Sequence, residues 1–301
     1  MAVMWDEHID QVLAGDLTCG LGYRTPAGGV VVQAVAPIGL RDRAAGTVGF
    51  TTSLGFSKKL ERIANDPRVA LAFHAREFGS ATGDAYVLVQ GTANVIAEPT
   101  EAQRELVRTQ AEQHLGKGKT GFFWDRWLHE YYVTRVPVDV AVHRIVVWPD
   151  LRCAGEPRVI GEPLPAGDPE PQAPPKNGTG PRIDVPRAVE RLRKQEHLLA
   201  GFNGADGHPL VLPVGLGAVT AAGVELRSDT PLPAPGRRAG LLGHSYRPQL
   251  IGLETRQHTG WLADGVYAPH TETGYKAPPN KTLLLLVNGL MAKRGTRKSR
   301  A

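Results

Sequence analysis

The second half of this chain repeats the pattern of the first, and that internal repeat constrains the fold more than any single motif. In the first half, residues 5–14 carry Trp5, Ile9, Val12 and Leu13 at helical spacing. β-type segments follow at 18–23, 30–38, 47–53, 69–73, 86–96 and 138–148, the first two joined by the glycine-turned hairpin Thr25-Pro26-Ala27-Gly28-Gly29. The second half starts again with an expected helix over 185–199 and a glycine-turned hairpin over 201–217. Residues 223–228 (GVELRS) match 46–51 (GTVGFT) at an offset of 177, and 238–244 (RAGLLGH) match 68–74 (RVALAFH) at 170. Thr259-Gly260 matches Gln90-Gly91 at 169. The offset drops by seven in one place, where the second copy has DTPLPAPGR and the first has a short helix.

Between the copies the composition changes: EPLPAGDPEPQAPPKNGTGP is rich in proline and poor in apolar residues, as in a semi-rigid linker. The expected organisation is a barrel over 1–152, a linker over 153–182, a second and degenerate barrel over 183–292 and a basic tail over 293–301. With 301 residues, each half is large enough to bury its own core. Short strands joined by tight turns, with few helices, indicate a mainly β (α+β) chain of small antiparallel barrels with peripheral helices. One expected helix, Glu101–Leu115, should turn Leu106 inward.

Charge and cysteine content exclude several classes. The net charge is +5, and Lys293, Arg294, Arg297, Lys298 and Arg300 account for all of it, so the body shows no basic footprint for nucleic acid. Cys19 and Cys153 form neither a CxxC pair nor a disulfide framework, which suits a reducing compartment. The amino-terminal residues lack the basic and apolar regions of a signal peptide, and the longest apolar run, 283–287, is too short for a bilayer. The expectation is a cytoplasmic protein without membrane contact.

The helix unique to the first copy carries the most chemistry. Phe56, Leu60, Ile63 and Ala64 recur at helical spacing, Ser57 stands at the expected N-cap, and Asn65-Asp66-Pro67 ends the helix. Lys58 and Lys59 then fall in the first turn, beside backbone N–H groups that lack intrahelical partners. A hydroxyl, two cations and free amide donors at a helix start suit a phosphate. The preceding strand ends in Thr51, Thr52 and Ser53.

Together these residues resemble the split β-barrel family of pyridoxamine-phosphate-oxidase-like flavin and deazaflavin proteins. The resemblance rests on Gly28-Gly29, Phe50-Thr51-Thr52-Ser53, Ser57-Lys58-Lys59, Asn65-Asp66-Pro67-Arg68-Val69 and Val89-Gln90-Gly91-Thr92-Ala93. It covers roughly residues 5–150, with a weaker echo over 185–290. It implies two tandem split barrels, with the cofactor phosphate on Ser57, Lys58 and Lys59. Thr51, Thr52 and Ser53 would line the ribityl chain and ring edge, and Gln90 would reach the ring. It also implies FMN or the deazaflavin F420 as cofactor, with haem as a further occupant of such barrels, and a homodimer or an intramolecular pseudo-dimer.

The rest of the sequence fits chemistry carried by a cofactor, since it offers no GxSxG, no HExxH and no close histidine pair, and so no metal site and no assignable catalytic side chain. Residues 116–121 (GKGKTG) follow a helix rather than a strand and read as a basic loop, not a phosphate loop. The aromatic run Phe122, Phe123, Trp124, Trp127, Tyr131 and Tyr132 reads as packing against the barrel. The function expected is flavin- or deazaflavin-dependent hydride transfer on a small organic substrate; the alternative is non-catalytic binding or storage of flavin or haem.

Overall fold

The computed structural model describes residues 2–118, 121, 124, 126–127, 135–167, 169–287 and 289–290. The first half forms β1 (Cys19–Arg24), β2 (Val30–Val35), β3 (Arg41–Asp42), β4 (Thr47–Ser53), β5 (Arg68–Phe73), β6 (Tyr86–Val95) and β7 (Arg135–Trp148), joined by β8 (Arg158–Gly161). The second half forms β9 (His197–Asn203), β10 (Pro209–Pro213), β11 (Gly215–Thr220), β12 (Gly223–Arg227), β13 (Arg237–Ser245), β14 (Glu254–Ala263) and β15 (Val266–Lys276). The first sheet runs β2-β1-β5-β6-β7-β4-β3, with β8 paired to β7, and the second runs β10-β9-β13-β14-β15-β12-β11. These are the same path eight strands apart. The protein is therefore mostly β, built on two curled antiparallel sheets of the split-barrel type.

The two copies also share a defect. Antiparallel pairing slips between Gln90 and Gly91 in the first sheet and between Thr259 and Gly260 in the second. Each glycine is required there: a Cβ on Gly91 would lie 2.1 Å from the carbonyl oxygen of Ala141, and one on Gly260 would lie 2.3 Å from that of Ala268. A bulge at the same place in both sheets fixes the register of the repeat. The ladders correct one alignment. Val48 faces Val140 and Val224 faces Tyr267, which makes Val48 and Val224 equivalent at an offset of 176, not 177. A one-residue slip would have turned Val224 and Leu226, both buried like Val48 and Phe50, to the wrong face. The segment missing from the second copy is thus six residues long.

The halves share a core. Val69, Leu71 and Phe73 of β5 point into the first barrel, while Ala70 and Ala72 on its other face pack with Leu199, Phe202, Val211 and Leu241 of the second half. Burial on both faces explains why β5 reads as a continuous apolar run. The contact is reciprocal: a Cβ on Gly22 would meet Val211 at 2.7 Å, and one on its counterpart Gly201 would meet Val32 at 2.3 Å. Hairpin tips are exchanged in the same sense. Gly28 O accepts from Asn203 Nδ2 at 2.5 Å, and Asp206 in the β9–β10 turn binds Arg144 of β7.

Helices α1 (Glu7–Gly15), α2 (Ser57–Asn65), α3 (Glu101–Leu115) and α4 (Val185–Leu192) lie outside the sheets. Asp6 caps α1, and Thr100 with Gln103 forms a capping box on α3. Two helical expectations need correcting. The helix expected over 185–199 ends at Leu192, because Leu199 is taken into β9 and buried between the halves. Leu106 is 51% exposed, and α3 buries none of its residues. Part of the expected linker is ordered by pairing: it supplies β8, and Gln172 binds Gly28 O and the backbone of Arg238. In the aromatic run, Trp127 Nε1 donates to Leu286 O at 3.2 Å, whereas Phe122, Phe123, Tyr131 and Tyr132 lie outside the described residues, as does the basic tail.

Candidate functional site

A 3-10 turn over Leu54–Phe56 carries the chain from β4 straight into α2. Phe56, not Ser57, is the N-cap residue, and no side chain caps the helix. Ser57 is the first helical residue; its side chain and that of Lys58 are exposed. The first-turn amides therefore lack a side-chain acceptor of their own. The helix turns Lys59 and Ile63, one turn apart, toward the barrel. Ile63 is fully buried in the first core, which pins the helix and fixes where Lys59 stands.

Lys59 is only 8% exposed and makes no ion pair among the described residues. Its Nζ lies 5.0 Å over the Phe56 ring. Burial, with the charge of Arg135 alongside, pulls its ammonium down to about 8. Arg135 opens β7 opposite Ser53, and its Nη1 donates to Thr51 Oγ1 at 2.6 Å. Strand alternation puts Thr51 and Ser53 on the face that Arg135 occupies and turns Thr52 the other way. Thr52 is buried, and its hydroxyl has no hydrogen-bond partner. Two cations brought together without a carboxylate on Lys59, next to a hydroxyl and the open end of a helix, form an anion-binding arrangement.

The residues expected at the site do not all come together. Lys59 and Thr51 are joined through Arg135, with Ser53 on the same strand face; Ser57 and Lys58 flank them on the surface. Gln90 is committed elsewhere. Its Nε2 donates to Pro209 O at 2.6 Å, and its Oε1 accepts from Arg144 Nε at 2.5 Å, so it ties β6 to the second half. Arg135 escaped the sequence reading because it lies 84 residues from the threonine it binds. The usable signal was a lone arginine at the mouth of the strand that closes on β4.

The second copy has no counterpart of α2. A loop of prolines joins β12 to β13, and Arg237 at its end is 1% exposed, bonded to Pro235 O, Asn203 O and Pro169 O. It holds the frame of that barrel. Cavities of about 480 Å³, beside α1 and α3, and about 410 Å³, at the mouth of the second barrel, both lie away from Lys59; no residue of β4 or α2 lines either.

A second cluster sits between the sheets. His197 and His244 stack on Tyr246, His74 meets both histidines edge-on, and His197 Nε2 lies 3.2 Å from Glu77 Oε2. Among the described residues, no three His, Cys, Asp or Glu side chains are placed to share a metal ion. No described helix is long and apolar enough to cross a membrane.

Neither the family models nor the curated proteins give a match. Solved structures do. The conserved hypothetical protein Rv2991 of Mycobacterium tuberculosis is 20% identical over 50% of this chain and 88% of its own, with a TM-score of 0.37. A protein described as F420 reductase is 19% identical over 45% of this chain and 94% of its own, at 0.34. A pyridoxamine 5'-phosphate oxidase-related, FMN-binding protein of Nostoc punctiforme is 12% identical over 47% and 76%, at 0.31. Each match spans about half of this chain, the size of one of its two sheets. In fold, the chain is similar to split-barrel proteins of the pyridoxamine 5'-phosphate oxidase-like kind.

Proposed function

We propose that the first barrel binds a phosphate-bearing flavin or deazaflavin, FMN or F420, and serves hydride transfer to or from a small organic substrate. One observation carries the reading: Lys59 is a buried cation set near a second cation, Arg135, and pairs with no carboxylate among the described residues. A charge kept out of water without a partner is costly, and an anion taken from solution would offset that cost. Lys59 and the first-turn amides of α2 would hold the phosphate, with Ser57 and Lys58 at its solvent side. Thr51, bonded to Arg135, and Ser53, on the same strand face, would take the adjoining sugar-alcohol chain. Such a cofactor, when bound, supplies the redox chemistry, so the side chains need only bind, orient and exclude water. The printed descriptions of two structural neighbours, an F420 reductase and an FMN-binding protein, point the same way.

Haem fits the described residues less well, because His74 and His244 spend their Nε2 atoms on each other at 2.7 Å. The test is a titration of the full chain with FMN and with F420, followed by cofactor fluorescence, with riboflavin as the phosphate-free control. Saturable binding of one phosphate-bearing compound, and at least tenfold weaker binding of riboflavin where FMN binds, supports the reading. A protein that binds neither FMN nor F420 refutes it. Binding without turnover of a reduced nicotinamide or any added acceptor selects the storage alternative.

A further inference from the structure

The β12–β13 loop, which stands where the first copy has α2, lines a cavity. The ladders make Phe202 the counterpart of Tyr23. Tyr23 lies beneath α2, with Arg62 of that helix bonded to its hydroxyl. Phe202 lies instead against a cavity of about 410 Å³ that the β12–β13 loop and the proline-rich segment roof over. That volume is in the range of small-molecule sites.

The lining has a definite chemistry. Trp148, Phe202, Leu210 and Leu212 make an apolar and aromatic wall, prolines form the roof, and the carboxylates of Glu156 and Asp229 stand on the exposed side. Among the described residues, no lysine, arginine or histidine lines it. Glu156 has no counter-ion among the described residues, and Asp229 has only the exposed Arg152, at 3.5 Å. The buried guanidiniums of Arg144 and Arg237 serve the frame, binding Pro163 O and Pro169 O. An anionic cofactor is thus disfavoured where the first barrel favours one. Aromatic walls with carboxylates at the opening suit a cation that carries an apolar body.

We propose that the mouth of the second barrel binds a small aromatic cation of the arylalkylammonium class. The site is separate from the phosphate cradle and does not rest on it. The test is calorimetric titration of the full chain with three probes of one shape: 1-naphthylmethylammonium, 1-naphthalenemethanol and 1-naphthoate. The expected result is saturable one-to-one binding, the cation at least tenfold tighter than the alcohol and the anion weakest. Leu212→Trp, which fills the cavity, should abolish binding of all three. Thr230→Trp, at the half-exposed edge, should do the same at the cost of one hydrogen bond, from Thr230 Oγ1 to Cys153 O. Glu156→Gln with Asp229→Asn should bring the cation down to the affinity of the alcohol. Absence of saturable binding, an anion that binds as tightly as the cation, or binding undiminished in a folded Thr230→Trp variant would each overturn the proposal.

Discussion

His74 and His244 hold equivalent places in the two sheets and meet Nε2 to Nε2 at 2.7 Å. The pair cannot be symmetric. His74 Nδ1 donates to Ala72 O at 2.9 Å, so its Nε2 must accept and His244 Nε2 must donate. That leaves His244 Nδ1 as a bare acceptor, and it has no partner. Both rings are neutral: burial pushes His74 down to about 3 and His244 well below the usual range. The junction between the halves is therefore built on uncharged histidines.

Acid should destabilise the fold. Burial also holds His258 at about 4, so three histidines take up protons near pH 6.5 once unfolded but not while folded. Their contribution is complete above pH 6.5 and is lost as pH falls toward 4, at up to about 1.4 kcal/mol per pH unit for each. Asp16, paired with Arg76 and raised to about 7 by burial, works the other way between 4 and 7 and offsets about one of the three. Urea unfolding at pH 7, 6 and 5 should show a falling midpoint with a net uptake of protons, to which His208 and His270, also lowered by burial, add. A midpoint that is flat over this range contradicts the neutral assignment.

His258 itself looks dispensable. It is fully buried with neither ring nitrogen bonded, and the first copy has Val89 in its place. His258→Leu should stabilise the protein by about 1–2 kcal/mol, the typical cost of an unpaired buried polar group, and lower the acid proton uptake by about one. Thermal unfolding of both proteins at pH 7 and pH 5 reads both effects.

Arg144 fastens β6, β7, the proline-rich segment and the β9–β10 turn through Gln90, Pro163 and Asp206. Arg144→Met should cost about 2–3 kcal/mol, less than the ~3–5 of a fully buried pair because Asp206 is partly exposed. Gln90→Leu should also destabilise but leave the affinity for FMN or F420 within about twofold. A large loss of affinity would return Gln90 to the ring contact that its position before Gly91 suggests.

Most of the β architecture was legible because alternation and turn residues are local signals. Thr47–Ser53 and Glu101–Leu115 fall where spacing placed them. The repeat was visible at Gly91 and Gly260, since both bulges exclude a side chain. What failed depends on partners distant in sequence. The match of 223–228 was anchored on a glycine and slipped by one, which only cross-strand pairing could reveal. β8 was hidden in the expected linker because it forms on the edge that β7 offers. Around the candidate site, the elements that carry Lys59 and Thr51 are local signals, whereas Arg135 depends on closure of the β4–β7 ladder, and Gln90 bonds a second half that local sequence does not report.

A buried cation kept for a ligand should weigh on the free protein. Lys59→Met keeps the apolar stem, removes the charge beside Arg135, and should raise the unfolding temperature without cofactor by a few °C, as ~1 kcal/mol does for a protein of this size. A drop in unfolding temperature would show that Lys59 is structural.

The central claim rests most directly on cofactor affinity in two neighbouring variants, measured by fluorescence titration with whichever of FMN or F420 the protein binds. Lys59→Ala should weaken binding by about 10- to 150-fold, the equivalent of ~1.5–3 kcal/mol for a charged hydrogen bond to phosphate. Lys58→Ala, one residue away and exposed, should change it by less than about threefold. Equal losses in the two variants, or none in Lys59→Ala, would contradict a phosphate site built on the buried lysine.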